Sequence, residues 1–265
     1  MLAISEFSAA ARLGLKGVLC DIDDTLSTDG RLTARAYGAM ERLRARGLLV
    51  VPVTGRRAGW SDHIARMWQV DAVVGETGAF YFRYDDKARR MHRRYHQPPD
   101  VLAANRVKLR AVGARILAAV PGAAISADQA YREADIAIDF CEDVAALERS
   151  DIDRIVAIMH DEGLTAKVSS IHVNGWIGDY DKLTMTRHLF TEQFATDLDE
   201  AKERFVFVGD SPNDQPMFEY FPHAVGVANL MRFADQLTTP PAYITAGEAG
   251  DGFAELVDLL LNPDE

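Results

Sequence analysis

At 265 residues, 48% of them hydrophobic, the chain is long enough for one large or two smaller domains with a substantial core, which excludes a disordered protein. Asp and Glu number 40 against 29 Lys and Arg, a formal charge of −11, which argues against nucleic acid or an anionic membrane as partner and leaves any anionic substrate to local cations or a metal. The only cysteines, Cys20 and Cys141, lack zinc-ligand or disulfide spacing, and no stretch approaches a membrane span, so a soluble, unprocessed, cytoplasmic protein is expected.

In chain order, KGVLCDI is a short apolar run with the character of a buried strand. LTARAYGAMERLRARG follows as a helix, with Thr33 as N-cap, an apolar stripe of Leu32, Ala36, Met40 and Leu43, and Gly47 as its stop. LLVVPV is the next strand and ends at Thr54-Gly55-Arg56. RRAGWSDHIARMWQ is a helix expected to turn Trp60, Ile64, Met67 and Trp68 inward, and DAVVGETG supplies a third strand. Strands and helices alternating in this way predict a parallel sheet with right-handed crossovers.

AFYFRYDDKARRMHRRYH reads instead as a hairpin and opens a new unit. Helical VLAANRVKLRAVGARILAAV, strand ADIAIDF, helical LERSDIDRIVAIMHDEG, and strands LTAKVSS and IHVNGW complete an α+β module over residues 83–180. The parallel pattern then resumes with helix KLTMTRHLFTEQF, strand RFVFVGD, a short helix after PND, strand HAVGVAN, strand AYIT and helix GFAELVDLLL. The expected architecture is an α/β chain: a doubly wound parallel-sheet core, residues 1–82 and 181–265, interrupted by an inserted α+β domain.

In DIDDT, residues two apart on an extended segment share a face, so Asp21 and Asp23 can present carboxylates side by side, which suits a divalent cation. A DxD alone is more often a turn or a helix cap. Here three strand ends carry polar residues, at 21–24, 54–56 and 209–214, and the carboxyl ends of strands in a doubly wound sheet form one ligand crevice.

DIDDT, then VPVTGR, then Lys182, then VGDSPND resemble the four ordered motifs of the haloacid dehalogenase superfamily, in its phosphatase branch. The insertion between the Thr motif and the lysine is similar to the subclass IIB arrangement, which includes Cof-like and sugar-phosphate phosphatases. GETGA at 75–79 resembles the ENGA segment of that branch, with Thr77 where Asn is usual. The resemblance implies a Rossmann-like core with residues 83–180 as the cap. Lys182 sits in Asp181-Lys182-Leu183 where Lys-Gly is frequent; of its competitors, neither Lys167 nor Lys202 opens a helix after the cap.

By that resemblance Asp21 is the nucleophile and forms an aspartyl-phosphate, while Asp23 is the acid and base and must carry a proton when substrate arrives. Thr54 and Lys182 act on the transferring phosphoryl group, with Gly55 and Arg56 as further substrate contacts. The implied cofactor is Mg²⁺, held by Asp21, Asp210, Asp214, the backbone carbonyl of Asp23 and Asn213. Asp24 is expected to shape the turn rather than to act in catalysis.

The inserted domain is left to choose the substrate. In SSIHVNGW, Ser170, His172 and Asn174 alternate with apolar residues and can share a face, either as a specificity strip for a hydroxyl-rich leaving group or as the solvated side of an antiparallel sheet. His63 and the run Arg89, Arg90, Arg93, Arg94 read as surface. The expected function is a Mg²⁺-dependent phosphomonoesterase acting on a small phosphorylated metabolite, a sugar phosphate foremost. A phosphotransferase or phosphomutase on the same scaffold, and a non-catalytic metabolite-binding module, stay open as alternatives.

Overall fold

The computed structural model describes residues 1–169 and 171–262. The chain begins β1 (Leu2–Ala3), α1 (Ala9–Leu13), β2 (Gly17–Cys20), β3 (Ser27–Thr28), β4 (Arg31–Leu32), α2 (Ala34–Ala45), β5 (Leu49–Pro52) and α3 (Ala58–Met67). It continues with β6 (Val73–Gly75), β7 (Phe80–Asp85), β8 (Arg90–Tyr95), α4 (Pro99–Ala119), β9 (Ala124–Ile125), β10 (Asp135–Asp139), α5 (Arg149–Asp161), β11 (Thr165–Val168) and β12 (His172–Trp176). The last part holds α6 (Lys182–Phe194), α7 (Leu198–Ala201), β13 (Phe205–Gly209), α8 (Gln215–Tyr220), β14 (His223–Gly226), β15 (Tyr243–Ile244) and α9 (Ala249–Leu261).

The core is a six-stranded sheet in the order β1-β15-β14-β13-β2-β5, with every pair parallel. Its strands are apolar on both sides because both sides are covered. Val18, Val50 and Val206 pack with Met40 and Leu43 of α2 and Phe253 and Val257 of α9, whereas Leu19, Val51 and Phe207 pack with Met185 and Leu189 of α6 and Met217 of α8. Alternate residues of one strand thus serve two cores, as the period of two requires. Thr33 caps α2 as expected, accepting from the N–H of Ala36 at 3.2 Å.

The inserted segment builds a second, four-stranded antiparallel sheet, β11-β12-β10-β9. Ile136, Ile138 and Val173 on one face pack under Val112 and Ile116 of α4 and Ile155 and Met159 of α5. The opposite face carries Asp135, Asp139, His172 and Asn174, all buried.

Three expectations change. DAVVGETG does not continue the parallel sheet: β6 pairs antiparallel with β7, and only the bridge between Val53 and Val74 is parallel. The cause is a tight reversal at Glu76–Gly78, where Glu76 (φ 42) and Thr77 (φ 54) are left-handed and return the chain onto β6 at once. The β7–β8 hairpin exists as expected, but it extends this β6-β7-β8 sheet, and Phe80 and Phe82 are buried in the same cluster as β2.

In α3, Ile64 is buried but Trp60 and Met67 are 41% and 65% exposed. The helix starts at Ala58, so its inward stripe is Ala58, Ser61, Ile64 and Ala65, and Trp60 instead lies under the guanidinium of Arg57, 3.8 Å from its centroid. Finally, Asp29 (φ 50) and Gly30 (φ 71) turn a short β3–β4 hairpin between β2 and α2, an element absent from the expected order. Two successive left-handed residues are the signature of the tight hairpin turn that Asp-Gly favours. Among the described residues, no helix is long and apolar enough to cross a membrane.

Candidate active site

The carboxyl ends of β2 and β13 lie side by side, since these strands are parallel neighbours, and each continues into an Asp-bearing loop. Asp21 follows β2 and sends its N–H to Val208 O at 2.9 Å, which ties the two loops together where they leave the sheet. Beyond β13, Gly209 lets the chain fold back tightly: a Cβ there would come within 2.7 Å of Asp214 Cγ. The Asp210 N–H donates to Asp214 Oδ2 at 3.2 Å and holds the second loop closed.

Lys182, the first residue of α6, reaches this point from the far side of the insertion. Its Nζ lies 3.0 Å from Asp21 Oδ1 and 2.7 Å from Asp214 Oδ1, and it is buried. Burial works against its charge, but the Asp21 and Asp214 carboxylates outweigh it and raise its pKa. Burial pushes Asp21 up to about 7; Lys182 pulls it down, while Asp214 and Asp23 add to the rise. Asp210 is raised well above the ordinary carboxylate range by burial and then by the charges of Asp214 and Asp21.

One ammonium among these carboxylates is too little positive charge. Asp21, Asp210 and Asp214 offer oxygens within 4.8 Å of one another, and Asp210 Oδ2 is buried without a hydrogen-bond partner, although Thr25 Oγ1 donates to its Oδ1 at 3.3 Å. Hard oxygen donors around an orphaned anionic atom fit a divalent cation such as Mg²⁺.

The remaining expected residues are also near. Asp21, Asp23, Gly55, Arg56, His172, Asn174 and Asn213 line one cleft between the core sheet and the polar face of the inserted sheet. Its volume of about 20 Å³ has room for a single water, so the insertion is shut down on the core. Thr54 is fully buried beside it; its Oγ1 accepts from the Arg56 N–H at 3.1 Å, which leaves its own O–H to donate. Arg56 forms a close ion pair with Asp23, with Nε 2.9 Å from Oδ1.

Asp24 adopts a left-handed conformation (φ 54), and its carbonyl accepts from Asn229 Nδ2 at 2.9 Å, so its place is in the turn. The face of β12 bearing His172 and Asn174 is buried against the core rather than solvated. Asn174 Nδ2 donates to Asp135 Oδ2 at 3.0 Å; Ser170, named with them, lies outside the described residues. His63 is exposed, and Arg93 and Arg94 pair with Asp62 and Glu192 near the surface.

Several participants are not evident from sequence motifs. Arg132 of the insertion is buried, ion-paired to Asp128 (2.8 Å) and Asp135 (3.0 Å), and donates to the core at Gly55 O (3.1 Å). Glu76 is fully buried and accepts four backbone N–H groups: Ala58 at the start of α3 (3.0 Å), and Glu133 (2.9 Å), Ala134 (2.6 Å) and Asp135 (3.3 Å) of the insertion. It is thus the principal bolt between the two sheets. The only signal for it in the sequence was an acidic residue in a Gly-flanked turn, and nothing local to residues 133–135 names them as its partners.

A family model described as haloacid dehalogenase-like hydrolase matches residues 18–105. Among solved structures, protein 0175 of Thermoplasma acidophilum is similar at 16% identity and TM-score 0.68, over 93% of this chain and 98% of that one. Sucrose-phosphatase of Synechocystis sp., solved with sucrose and phosphate, is similar at 17% identity and TM-score 0.64, over 93% and 98%. The subclass IIB sugar phosphatase BT4131 is similar at 13% identity and TM-score 0.61, over 92% and 98%. At such identities these structures speak for the fold. No curated protein sequence matches the chain. The sequence match to that family model covers residues 18–105, and the fold it accompanies is shared with these structures along almost the whole chain.

Proposed function

We propose that the protein is a Mg²⁺-dependent phosphomonoesterase for a small phosphorylated metabolite, a sugar phosphate foremost, with residues 1–82 and 181–265 as catalytic core and 83–180 as cap. The observation that carries this reading is Lys182 seated between Asp21 and Asp214, beside the unpartnered Asp210 Oδ2. The structures that resemble this one and are named for sucrose-phosphatase and sugar phosphatase activity support the substrate class.

Asp21 attacks phosphorus and forms an aspartyl-phosphate, which divides one hard displacement into two easier ones. Asp23 protonates the departing alcohol oxygen and then takes a proton from the water that cleaves the acyl-phosphate. Lys182 neutralises charge on the transferring group, and the Thr54 hydroxyl donates to one of its oxygens. Asp21, Asp210, Asp214, the Asp23 carbonyl and Asn213 would hold a divalent cation, which would supply the charge that lets carboxylates and phosphate share a buried site.

Phosphate release from a panel of phosphorylated sugars, nucleotides and cofactors, assayed with Mg²⁺, tests the reading. Free phosphate appearing as fast as ester disappears is the expected result; an isomeric ester in its place would indicate a mutase, and inertness across the panel would count against any phosphatase.

A further inference from the structure

A second, larger space adjoins the closed cleft. This chamber of about 360 Å³ shares Asp23, Arg56 and Ile171 with the cleft, and is walled by Asp24 and Asp29 of the core and by Glu142 of the insertion. Its size is within the range of small-ligand pockets. On the phosphatase reading, Asp23 hands its proton to the leaving oxygen, so the leaving group must lie on Asp23's side of the phosphorus, and the chamber is the space there.

The charges on its walls are one-sided. Leaving aside Asp23, which carries a proton when substrate arrives, the walls set Asp24, Asp29 and Glu142 against one guanidinium among the described lining residues, that of Arg56, 3.9 Å from Glu142. The next guanidinium groups are also taken: Arg57 pairs with Asp128, and Arg132 is held by Asp128 and Asp135. Lys182 stands with Asp21 and Asp214 on the phosphoryl side. A second anionic group on the substrate would meet more carboxylates than cations among the described lining residues, an unfavourable juxtaposition.

Glu142 is built into place. Asp139, 1% exposed, accepts the N–H groups of Cys141 (2.9 Å), Glu142 (2.8 Å) and Asp143 (2.9 Å), which fixes the loop after β10. His172, 3% exposed, places Nε2 2.9 Å from Glu142 Oε2 and holds that carboxyl at the junction of cleft and chamber. His172 also holds the Glu142 carboxyl below its usual range, so that it is ionised at neutral pH.

We infer that the chamber is the leaving-group subsite, that it selects phosphate esters of uncharged or amine-bearing polyols over esters carrying a second anion, and that Glu142 sets this preference. The inference rests on the phosphatase reading and narrows it.

The test compares kcat/KM, by phosphate release with Mg²⁺, for glucose 6-phosphate, glucosamine 6-phosphate, 6-phosphogluconate and p-nitrophenyl phosphate. The native enzyme should favour the two sugars over 6-phosphogluconate by about tenfold or more. Glu142→Gln should raise the ratio of 6-phosphogluconate to glucosamine 6-phosphate turnover several-fold, whereas a loss of folding would lower all rates and leave the ratio unmoved. Preference of the native enzyme for 6-phosphogluconate, or an unchanged ratio in a Glu142→Gln variant that keeps native p-nitrophenyl phosphate turnover, overturns the inference and leaves the phosphatase reading standing. No phosphate from any ester overturns both.

Discussion

Lys182 Nζ lies 3.0 Å from Asp21 Oδ1, although 161 positions of sequence separate the two. The same Nζ lies 2.7 Å from Asp214, so one buried ammonium joins the loops after β2 and β13 to the start of α6. Replacing Lys182 by Met leaves two buried carboxylates without their cation. The expected result is a loss of about 3–5 kcal/mol in stability together with loss of phosphate release, measured by urea denaturation and by turnover. A Lys182→Met variant as stable as the native protein would show that the ammonium does not hold these loops.

Asp21→Asn keeps the size of the side chain and removes the oxygen anion proposed to attack phosphorus. Turnover of every ester should fall by about 10⁴-fold or more. An undiminished rate in this variant, with metal present, would refute Asp21 as the nucleophile.

Chelation of divalent cations should stop phosphate release, and added Mg²⁺ should restore it. Because the proposed cation would bind three carboxylates that the fold brings together, Mg²⁺ should also stabilise the fold, by about 2.7 kcal/mol at a hundredfold excess over its Kd. A thermal midpoint indifferent to Mg²⁺ would count against the cluster as a cation site.

Glu76 links stability to pH. Burial, then the charge of Asp135, lifts it from 4.5 to about 8, against the pull of Arg132 and of the Glu133 and Ala134 N–H groups. Between those two values the unfolded chain releases a proton that the folded chain keeps. The contribution is therefore complete at low pH and drains away as pH rises through about 8. Urea midpoints taken at about pH 5 and about pH 9 should fall more steeply in the native protein than in Glu76→Gln. Equal falls would mean that another group carries the dependence.

Much of this was legible from local signals. The alternation of apolar strands with amphipathic helices foretold the parallel core, and DIDDT, VPVTGR and VGDSPND each name a strand end, so their convergence followed from topology. The polar face of β12 was visible as a period of two at His172 and Asn174, but which side of that sheet met solvent was not, because the answer depends on how the inserted sheet docks. The reversal at Glu76–Gly78 was missed because Glu76 and Thr77 adopt a conformation that neither residue type advertises. Arg132, Asp135 and Glu142 belong to no motif. Their roles arise from pairings across the interface, and long-range pairings leave no mark in a local window. The β3–β4 hairpin has its local mark in Asp29-Gly30, the dipeptide that favours a tight two-residue turn.

The bonds Glu76 makes across the interface also supply a clock. The amides of Glu133, Ala134 and Asp135 all end on its carboxylate. A motion that lifts the insertion away from the core frees them together. Their exchange with deuterated solvent should proceed as one event at a shared rate, and that rate is the frequency with which the inserted sheet parts from the core.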